Sequence, residues 1–500
     1  MAERFNNYIG GRWVPAATGD YFENRNPARW SDLVGLWPRS GPDDVEAAVA
    51  AAREAFPAWS RLPVPERGRL LQRVGDLLVE RKEEIARAAT REMGKILLET
   101  RGDVQEGIDT AYYAAGEGRR WFGRTVPSEL PQKWALTVRR PIGVAGLITP
   151  FNFPLAIPTW KMFPALLCGN TVVLKPAEDV PHTATLLVQI LEEAGVPPGV
   201  VNLVHGYGEE VGAALVAHPD VPVISFTGST ETGRVVGRVC GDMHKRLSLE
   251  MGGKNAVIVM PDADMDLALE GVLWGAFGTT GQRCTATSRL LLHCSIHDAF
   301  VEQLVARAKK LRIGDGLDPA TDMGPLIHEA ALRKVEYYVE IGREEGAELV
   351  LGGQRATGPG LEEGWFFEPT VFVRVRPGSR LATEEIFGPV LAVMAFDDFD
   401  EAVAIHNEVS YGLSSSIYTR DVRVAFAAME RLEAGITYVN APTIGAEAHL
   451  PFGGVKQTGN GHREGGWAVY DFYSETKTIY VDFSGRLQRA QIDTGQVPVE

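Results

Sequence analysis

The chain has 500 residues, enough to bury several hydrophobic cores, and its 45% hydrophobic and 23% charged residues are typical of a soluble globular protein with two or more domains. A formal net charge of -15 argues against nucleic acid and anionic membranes as partners, and no apolar run is long enough to span a bilayer. The four cysteines are widely spaced, and without a CxxC motif or a Cys/His cluster they predict neither a disulfide framework nor a metal site.

The first part of the chain predicts short strands followed by helices, with no apolar signal region at its start, so we expect a cytoplasmic protein. Strands are predicted within 7–15 and 21–27, and helices near 42–57, 66–91 and 97–122. Pro57 helps to end the first helix in this interpretation, because proline lacks the amide hydrogen that a helix uses.

Strands and helices then alternate, which indicates a parallel, doubly wound sheet. The strands are predicted near 134–141, 144–149, 171–175, 200–204 and 223–226, and the helices near 182–194, 210–217 and from residue 230. From residue 254 the pattern starts again and predicts a second α/β domain. Its strands are predicted near 256–260, 290–293, 348–351, 369–373 and 390–396, and its helices near 296–311, 329–345 and 422–432. Residues 476–483 alternate like an edge strand with one buried face, which needs a neighbour.

A candidate nucleophile lies in the run Gly281-Gln-Arg-Cys-Thr-Ala286, between the helical pattern at 267–274 and the strand at 290–293. Cys284 is predicted on a junction loop whose small neighbours leave room for a substrate. Arg283 beside it would favour the thiolate, which is the nucleophilic form. The alternative is a small, buried, inert side chain, which is what most free cysteines are.

Two polar residues follow apolar segments in a way that suits catalysis. Asn152 comes after the predicted strand at 144–149, where ligands gather in a doubly wound sheet, and its amide is suited to stabilising an oxyanion. Glu250 ends an apolar segment and precedes two glycines, so its carboxylate has space to act as a general base. The alternatives are a turn residue and a solvated loop acid.

Two further stretches are typical of nucleotide binding. Gly228 and Ser229 lie between a strand and a helix, where free backbone amides suit a pyrophosphate. Lys175 and Glu178 follow another strand, and a carboxylate there can accept hydrogen bonds from ribose hydroxyls and repel a 2′-phosphate, which favours NAD over NADP. The alternative for the second stretch is an exposed ion pair. The nearby Gly206-Tyr-Gly208 has the wrong spacing to Gly212 for a dinucleotide fingerprint and is interpreted as a turn.

In this order, these stretches resemble the aldehyde dehydrogenase superfamily over nearly the whole chain. The matching stretches are 149–154, 175–178, 226–233, 250–254, 281–284, Glu384-Glu385-Ile386-Phe387-Gly388-Pro389 and Pro451-Phe452-Gly453-Gly454. The resemblance implies a fold of three parts, each with α/β or β structure. These are a doubly wound cofactor domain (1–123 and 142–253), an α/β catalytic domain (254–470), and a small β oligomerisation region with the tail (124–141 and 471–500). It also implies a homodimer or homotetramer.

The resemblance assigns catalytic roles to three residues. Cys284 is the implied nucleophile, Glu250 the base that activates the deacylating water, and Asn152, with the backbone amide of Cys284, the oxyanion hole. The implied cofactor residues are Lys175 and Glu178 for the adenosine ribose, Ser229 for the pyrophosphate, Glu385 and Phe387 for the nicotinamide half, and also Thr149, Pro150, Gly228 and Gly233. The implied reaction is attack on a small aldehyde, hydride transfer from the thiohemiacetal to NAD, and hydrolysis of the thioester.

The substrate prediction depends on a narrower resemblance. Gly281-Gln-Arg-Cys-Thr, Ser295-Ile-His-Asp and the stretch 440–447 are similar to α-aminoadipic semialdehyde (antiquitin-type) dehydrogenases, in which an arginine before the nucleophile holds a substrate carboxylate. Arg283 matches that position, and with Phe153 and Glu447 it is predicted to contact an aldehyde with a distal carboxylate. The alternative is that Arg283 is structural or only tunes the thiol. The stretch Ala448-His-Leu-Pro451 departs from the antiquitin pattern.

Three other functions stay open at this point. A coenzyme A-acylating dehydrogenase of the same fold generally lacks the deacylating glutamate, so Glu250 argues against it. A non-catalytic structural member predicts no NAD reduction with any aldehyde. A plain thiol hydrolase leaves the cofactor stretches without a purpose.

Overall fold

The computed structural model describes residues 3–494. Residues 495–500, the end of the predicted oligomerisation region, lie outside that part of the chain. Within 3–494, no helix is long and apolar enough to cross a membrane, and no group of three His, Cys, Asp or Glu side chains is placed to hold a metal ion.

The N-terminal elements are strands β1–β4 and helices α1–α4. Their bounds, with those of the next two strands, are β1 Asn7–Ile9, β2 Arg12–Val14, β3 Tyr21–Arg25, β4 Leu33–Pro38, α1 Pro42–Arg61, α2 Val64–Glu80, α3 Lys82–Met93, α4 Leu97–Glu117, β5 Thr125–Pro127 and β6 Lys133–Pro141. Strand β4 was not predicted.

Two helix predictions in this region were wrong. Helix α1 continues past Pro57 to Arg61. Because Pro57 has no amide hydrogen, the carbonyl of Arg53 loses its helical hydrogen-bond partner. Both residues are exposed, so water can donate to that carbonyl instead. The helix predicted at 66–91 is two helices, because Arg81 between them leaves helical geometry (φ -102°, ψ 12°).

The first large sheet has the order β11-β10-β7-β8-β9-β1-β2. Its further strands and their helices are β7 Val144–Ile148, α5 Ala156–Cys168, β8 Thr171–Lys175, α6 Pro181–Glu193, β9 Val201–Leu203, α7 Ala213–Ala217, β10 Val223–Thr227, α8 Thr230–Asp242 and β11 Arg246–Glu250. Strands β7 to β11 are parallel, and β7 and β8 are buried along their whole length, as expected for strands covered by helices on both faces. The chain order reverses between β7 and β10, which opens a crevice at their carboxyl ends. Helix α5 and strand β11 were not predicted.

The second large sheet has the order β14-β15-β16-β13-β12-β18-β19 and is parallel except for β14. The elements from its first strand onward are β12 Asn255–Val259, α9 Met265–Phe277, β13 Thr287–His293, α10 His297–Ala308, α11 Glu329–Glu344, β14 Glu348–Leu351, β15 Thr370–Val373, α12 Arg380–Thr383, β16 Val390–Phe396, α13 Phe399–Asn407, β17 Tyr411–Gly412, β18 Ser414–Tyr418, α14 Val422–Arg431, β19 Ile436–Val439, β20 Val455–Lys456 and α15 Val469–Phe472. Strands β18 and β19 were missed; β18 is rich in serine, which weakens its strand pattern.

The tail strand β21 (Ser474–Asp482) finds its neighbour within the same chain. It pairs antiparallel with β6, from Ser474 opposite Pro141 to Asp482 opposite Lys133, and β5 pairs with the other side of β6. This three-stranded sheet leaves Trp134 and Tyr480 about two-thirds exposed (63% and 65%).

Candidate active site

Cys284 follows a tight turn between α9 and β13. The two residues Thr279 and Thr280 have φ of 52° and 56°, a left-handed conformation that β-branched residues rarely adopt. Beyond the turn, the Asn255 side chain donates to the carbonyls of Cys284 (2.8 Å) and Ala286 (2.9 Å). The backbone on which the thiol sits is therefore fixed by side-chain hydrogen bonds.

Two cavities meet at Cys284. One has a volume of about 290 Å³ and the other about 320 Å³. Both are lined by Ile157, Thr227, Met251 and Cys284. A thiol at such a junction can contact a substrate in one cavity and a second reactant in the other.

Asn152 lies in the turn after β7 and lines the 320 Å³ cavity with Cys284. Its side chain is 3% exposed, and its Oδ1 has no hydrogen-bond partner within residues 3–494. The main-chain carbonyl of Asn152 accepts a hydrogen bond from Lys95 Nζ (2.9 Å). The amide therefore has a fixed backbone and a side chain that is available to a ligand.

Glu250 ends β11 and lines the 290 Å³ cavity with Cys284. Burial, and then the nearby charge of Glu464, raises the pKa of its carboxyl well above the usual value. Its Oε1 has no hydrogen-bond partner in the described chain and lies beside Gly453, where a methyl group would come within 2.7 Å of it. Once ionised, a carboxylate in this position can accept a proton from a water molecule in the cavity.

Glu464 and Lys161 form a buried ion pair behind Glu250 that the sequence analysis missed. Ser225 bridges them, since it accepts from Lys161 Nζ (2.8 Å) and donates to Glu464 (3.2 Å). Lys161 is the only charged residue of the wholly buried helix α5. A lone lysine in an apolar segment predicts a buried acidic partner, because lysine is almost never buried unpaired. This pattern could have identified the ion pair from the sequence.

The pKa of the Cys284 thiol is raised to about 12, first by burial and then by the charges of Glu385 and Glu250, while nearby backbone amides act in the opposite direction. The expectation that Arg283 lowers this pKa was wrong. The guanidinium of Arg283 points away to Glu99 (Nη2 to Oε1, 3.0 Å) and to the Thr279 hydroxyl (Nε to Oγ1, 2.8 Å). Its charge is therefore largely compensated.

Charge in the 290 Å³ cavity is balanced by pairing and protonation. The acids of its lining are Glu99, Asp103, Glu106, Glu250 and Glu464. Three of them are paired, in Glu99–Arg283 (3.0 Å), Asp103–Lys95 (3.1 Å) and Glu464–Lys161. Burial raises the pKa of Glu106 to about 8 and that of Glu250 well above its usual value, which favours the protonated form of both acids. The cavity therefore does not exclude an anionic substrate.

Phe153 and Arg283, two predicted substrate residues, line the same cavity. Arg283 lies over the rings of Phe153 (5.5 Å) and Trp274 (5.0 Å), and it is the only lysine or arginine in the lining. Glu447, the third predicted substrate residue, does not line the 290 Å³ cavity. Its side chain is 65% exposed and lies beside His449 in an adjoining surface hollow, which shares Gly102, Glu106 and Ala446 with the cavity. The loop turns here, so that Ile444, Gly445 and Ala446 face the cavity instead.

The 320 Å³ cavity has features that suit the nicotinamide half of a dinucleotide. The Thr227 hydroxyl is buried without a partner in the described chain, and Glu385, which accepts from the Gly253 amide (2.8 Å), presents a carboxylate to the cavity. Phe387 packs edge-on against Phe151 (5.8 Å between ring centroids). The residues that line this cavity therefore fit a group with sugar hydroxyls and a flat ring.

Four predicted cofactor residues form its edge or lie nearby. Gly228 and Ser229 line the cavity at the start of α8, where Ser229 accepts from the Thr232 amide (3.1 Å), and Pro150 lines it after β7. Gly233 packs against Met251, leaving no room for a side chain. A helix N-terminus of this kind binds phosphate through its amides.

The remaining predicted cofactor residues lie at the ends of neighbouring strands. Thr149 follows β7, and its amide donates to the carbonyl of Lys175 (3.1 Å), the last residue of β8. Lys175 Nζ contacts Glu178 (2.8 Å); the lysine is buried and the Glu178 side chain is one-third exposed. This pair lies along the same edge of the sheet as Asn152 and Ser229.

Comparison with known proteins gives consistent matches. The model of the aldehyde dehydrogenase family matches residues 13–479. The chain is 43% identical to an alpha-ketoglutaric semialdehyde dehydrogenase of Bacillus subtilis, over 95% of this chain and 97% of that one. It is 44% identical to an alpha-ketoglutarate semialdehyde dehydrogenase of Haloferax volcanii, over 96% and 99%. A crystal structure of betaine aldehyde dehydrogenase from Staphylococcus aureus in complex with NAD+ superimposes with a TM-score of 0.94 at 35% identity, covering 96% of this chain and 95% of that one.

Proposed function

The chain belongs to the aldehyde dehydrogenase family, and on this premise we propose that it oxidises an aldehyde with a distal carboxylate to the corresponding acid, with NAD+ as cofactor. The observation that carries the proposal is the junction of two cavities at Cys284, one lined by Glu250 and the other by Asn152.

The first chemical step joins Cys284 to the substrate. The thiol gives its proton to solvent water, Sγ bonds to the aldehyde carbon, and the carbonyl oxygen becomes an oxyanion that accepts from the Asn152 side chain and the Cys284 amide. The chemistry that bound NAD+ supplies is acceptance of the hydride from this carbon.

Glu250 then acts in deacylation. Its carboxylate takes a proton from water, the water oxygen bonds to the thioester carbon, and the carbon–sulfur bond breaks to return the Cys284 thiolate. Because burial and Glu464 raise the pKa of the resting carboxyl, Glu250 must first release its own proton to solvent water, and the charge of Lys161 favours the ionised form. A hydrolytic outcome distinguishes this proposal from coenzyme A acylation, which predicts acyl-CoA as the product.

The cofactor positions follow from the sheet edge. Glu385 and Phe387 would hold the nicotinamide half, Gly228 and Ser229 the pyrophosphate, and Lys175 and Glu178 the adenosine ribose, with Thr149, Pro150 and Gly233 shaping the site. A carboxylate at Glu178 would repel the 2′-phosphate of NADP. The supporting observation is that Thr149, Lys175 and Gly228 lie at or just after the carboxyl ends of the parallel strands β7, β8 and β10, while Glu385 and Phe387, which precede β16, line the same cavity.

The distal carboxylate is proposed to bind Arg283. Support comes from the relatives' names and from Arg283 being the only basic side chain in the lining of the 290 Å³ cavity. The Glu99 contact uses Arg283 Nη2 and the Thr279 contact uses Nε, which leaves Nη1 for a substrate oxygen. Because Arg283 also holds its own loop, its role requires a comparison of matched substrates.

We test this with pentanal and 5-oxopentanoate, which differ in the distal carboxylate. The Arg283→Ala variant loses the contacts that hold its loop, which affects both substrates equally. It also loses the proposed ion pair with the substrate carboxylate, which affects 5-oxopentanoate alone. We expect kcat/KM for 5-oxopentanoate to fall about 10- to 100-fold further than that for pentanal, measured by NADH absorbance. Equal losses on both would refute carboxylate binding by Arg283 and leave aldehyde oxidation itself intact.

The domain division and assembly are also proposed. The first sheet would form the cofactor domain (1–123 and 142–253), the second the catalytic domain (254–470), and 124–141 with 471–500 the oligomerisation region of a cytoplasmic homodimer or homotetramer. The support for assembly is the exposed apolar surface of the β5-β6-β21 sheet.

A further inference from the structure

Helix α4 carries two buried acids, Glu99 and Asp103, that the proposed reaction does not use directly. They lie four residues apart, so both face the same side of the helix, about 6 Å apart along its axis. The side chain of Asp103 is fully buried and that of Glu99 is 3% exposed. Burial of two carboxylates side by side is costly unless each is compensated by partners.

Asp103 anchors the turn that carries Asn152. Its Oδ2 pairs with the fully buried Lys95 (3.1 Å), and Lys95 Nζ also donates to the carbonyl of Asn152 (2.9 Å). The other oxygen, Oδ1, accepts from the amide of Ala156 (2.8 Å), the first residue of α5. The ion pair therefore holds both ends of the five-residue turn from Asn152 to Ala156.

Lys95 has a further contact within this turn. Its ammonium lies 4.0 Å from the centre of the Phe153 ring, a cation–π distance. Among the described residues no donor holds the Oδ1 of Asn152, so the direction of its amide is set by the backbone on either side. Lys95 and Asp103 are the groups that fix that backbone.

Glu99 anchors the loop that carries Cys284. Its Oε1 accepts from the Thr279 amide (2.7 Å) and from Arg283 Nη2 (3.0 Å). Arg283 Nε in turn donates to the Thr279 hydroxyl (2.8 Å). These bonds hold a residue with positive φ in place, and that turn leads directly to the nucleophile.

We propose that Glu99 and Asp103 of α4 are positioning residues that set the distance between the nucleophile and the oxyanion donor. Asp103 acts through Lys95, which holds the backbone of Asn152. Glu99 acts through Thr279 and Arg283, which hold the loop of the nucleophile. One rigid helix turn thereby couples two loops that are more than 100 residues apart in the chain. The inference rests on the roles proposed for Cys284 and Asn152.

The test is a double-mutant cycle between Asp103→Asn and Asn152→Ala, with 5-oxopentanoate and NAD+ as substrates. Asparagine keeps an acceptor for the Ala156 amide but loses the charge that holds Lys95. We expect Asp103→Asn to lower kcat about 10- to 100-fold with a much smaller change in KM, because a misplaced donor weakens transition-state stabilisation. In the Asn152→Ala background the same change should cost less than about twofold, because the group through which Asp103 acts is gone.

A second readout separates the two anchors. The rate of alkylation of Cys284 by iodoacetamide should be unchanged in Asp103→Asn and altered in Glu99→Gln, since only Glu99 contacts the nucleophile loop. Thr110→Val is the matched control: Thr110 is buried on the same helix and, among residues 3–494, its hydroxyl bonds only to the Glu106 carbonyl, so kcat and alkylation should stay at the wild-type values.

The outcomes distinguish the positioning role of Asp103 from the oxyanion-binding role of Asn152 on which it rests. An Asn152→Ala variant with wild-type kcat would refute the role of Asn152 itself. If Asn152→Ala loses activity but Asp103→Asn costs the same factor in both backgrounds, only the positioning role is refuted. Should Asp103→Asn fail to fold, the Lys95→Met/Asp103→Leu variant replaces the pair with apolar groups. Its kcat is then compared in the same two backgrounds, and an equal loss in both again refutes the positioning role.

Discussion

Cys284 is a half-buried residue, and the pKa of its thiol is raised by burial and by the carboxylates of Glu385 and Glu250. The raised pKa, about 12, disfavours the thiolate in the resting site. Arg283, adjacent in sequence, is committed to Glu99. Adjacency along the chain is therefore a poor guide to which charge acts on a catalytic group.

Glu250→Gln should separate acylation from deacylation. Glutamine keeps the shape of the side chain but cannot accept a proton from water, so we expect steady-state kcat to fall about 10²- to 10⁴-fold while a first burst of NADH remains. Stopped-flow absorbance measures both phases. Glu447→Gln is the control, because Glu447 lies outside the cavity, and its kcat should stay within about twofold of wild type. Loss of the burst in Glu250→Gln would place this residue in acylation instead.

At the scale of the elements, the nucleophile loop depends on backbone conformations that few residues tolerate. Gly281 has a φ of 69°, and a methyl group there would collide with the carbonyl of Gly388. Gly388 belongs to the stretch that carries Glu385 and Phe387. The loop of Cys284 and the loop of the proposed nicotinamide ligands are thus in backbone contact.

Gly281→Ala should disturb both loops at once. We expect kcat to fall about 100-fold, as for a displacement of about 1 Å in the reacting groups, and the free energy of unfolding to fall by about 1–3 kcal/mol. The NADH assay and the thermal midpoint measure these changes. Gly241→Ala is the control, since Gly241 lies in α8 with open space around it, and alanine is the better helix former there. Equal behaviour of the two variants would contradict the steric argument.

At the scale of the whole molecule, the three-stranded sheet of β5, β6 and β21 is the part whose exposed surface is hardest to explain in a monomer. Trp134, Tyr480 and Phe483 are all more than half exposed, and Trp134 contacts Phe483 edge-on at 6.5 Å. Large aromatic side chains in one exposed sheet are typical of a surface that is covered in an assembly.

Trp134→Glu should therefore shift the protein toward smaller species. A charge at the centre of an apolar contact is costly to desolvate, so we expect a lower molar mass by light scattering after size-exclusion chromatography. Val79→Glu, an equally drastic change at an exposed position of α2, should leave the mass unchanged. If both variants keep the wild-type mass, Trp134 lies outside any subunit contact.

The predicted aldehyde dehydrogenase family and α/β fold class are confirmed by the family match and the related structures, whereas the use of NAD stays a proposal. Strands β8, β14 and β16 were predicted to the residue, because each is a short, mostly apolar run with clear ends. Strand β18 was missed, because its three serines are polar although the whole strand is buried, so it lacks the apolar pattern of a buried strand. The division into domains and the roles of the site residues stay predictions.

By itself the sequence determined where apolar segments end and small residues follow them, and so it singled out Asn152, Glu250 and Cys284, each of which is marked by its own neighbours in the chain. Only the tertiary structure decided what surrounds them. Lys161 and Glu464 are 303 positions apart, and Arg283 and Glu99 are 184 apart. The physical reason is that local patterns record backbone geometry over a few residues, whereas the charge balance of a buried cavity is set by which distant segments pack against one another.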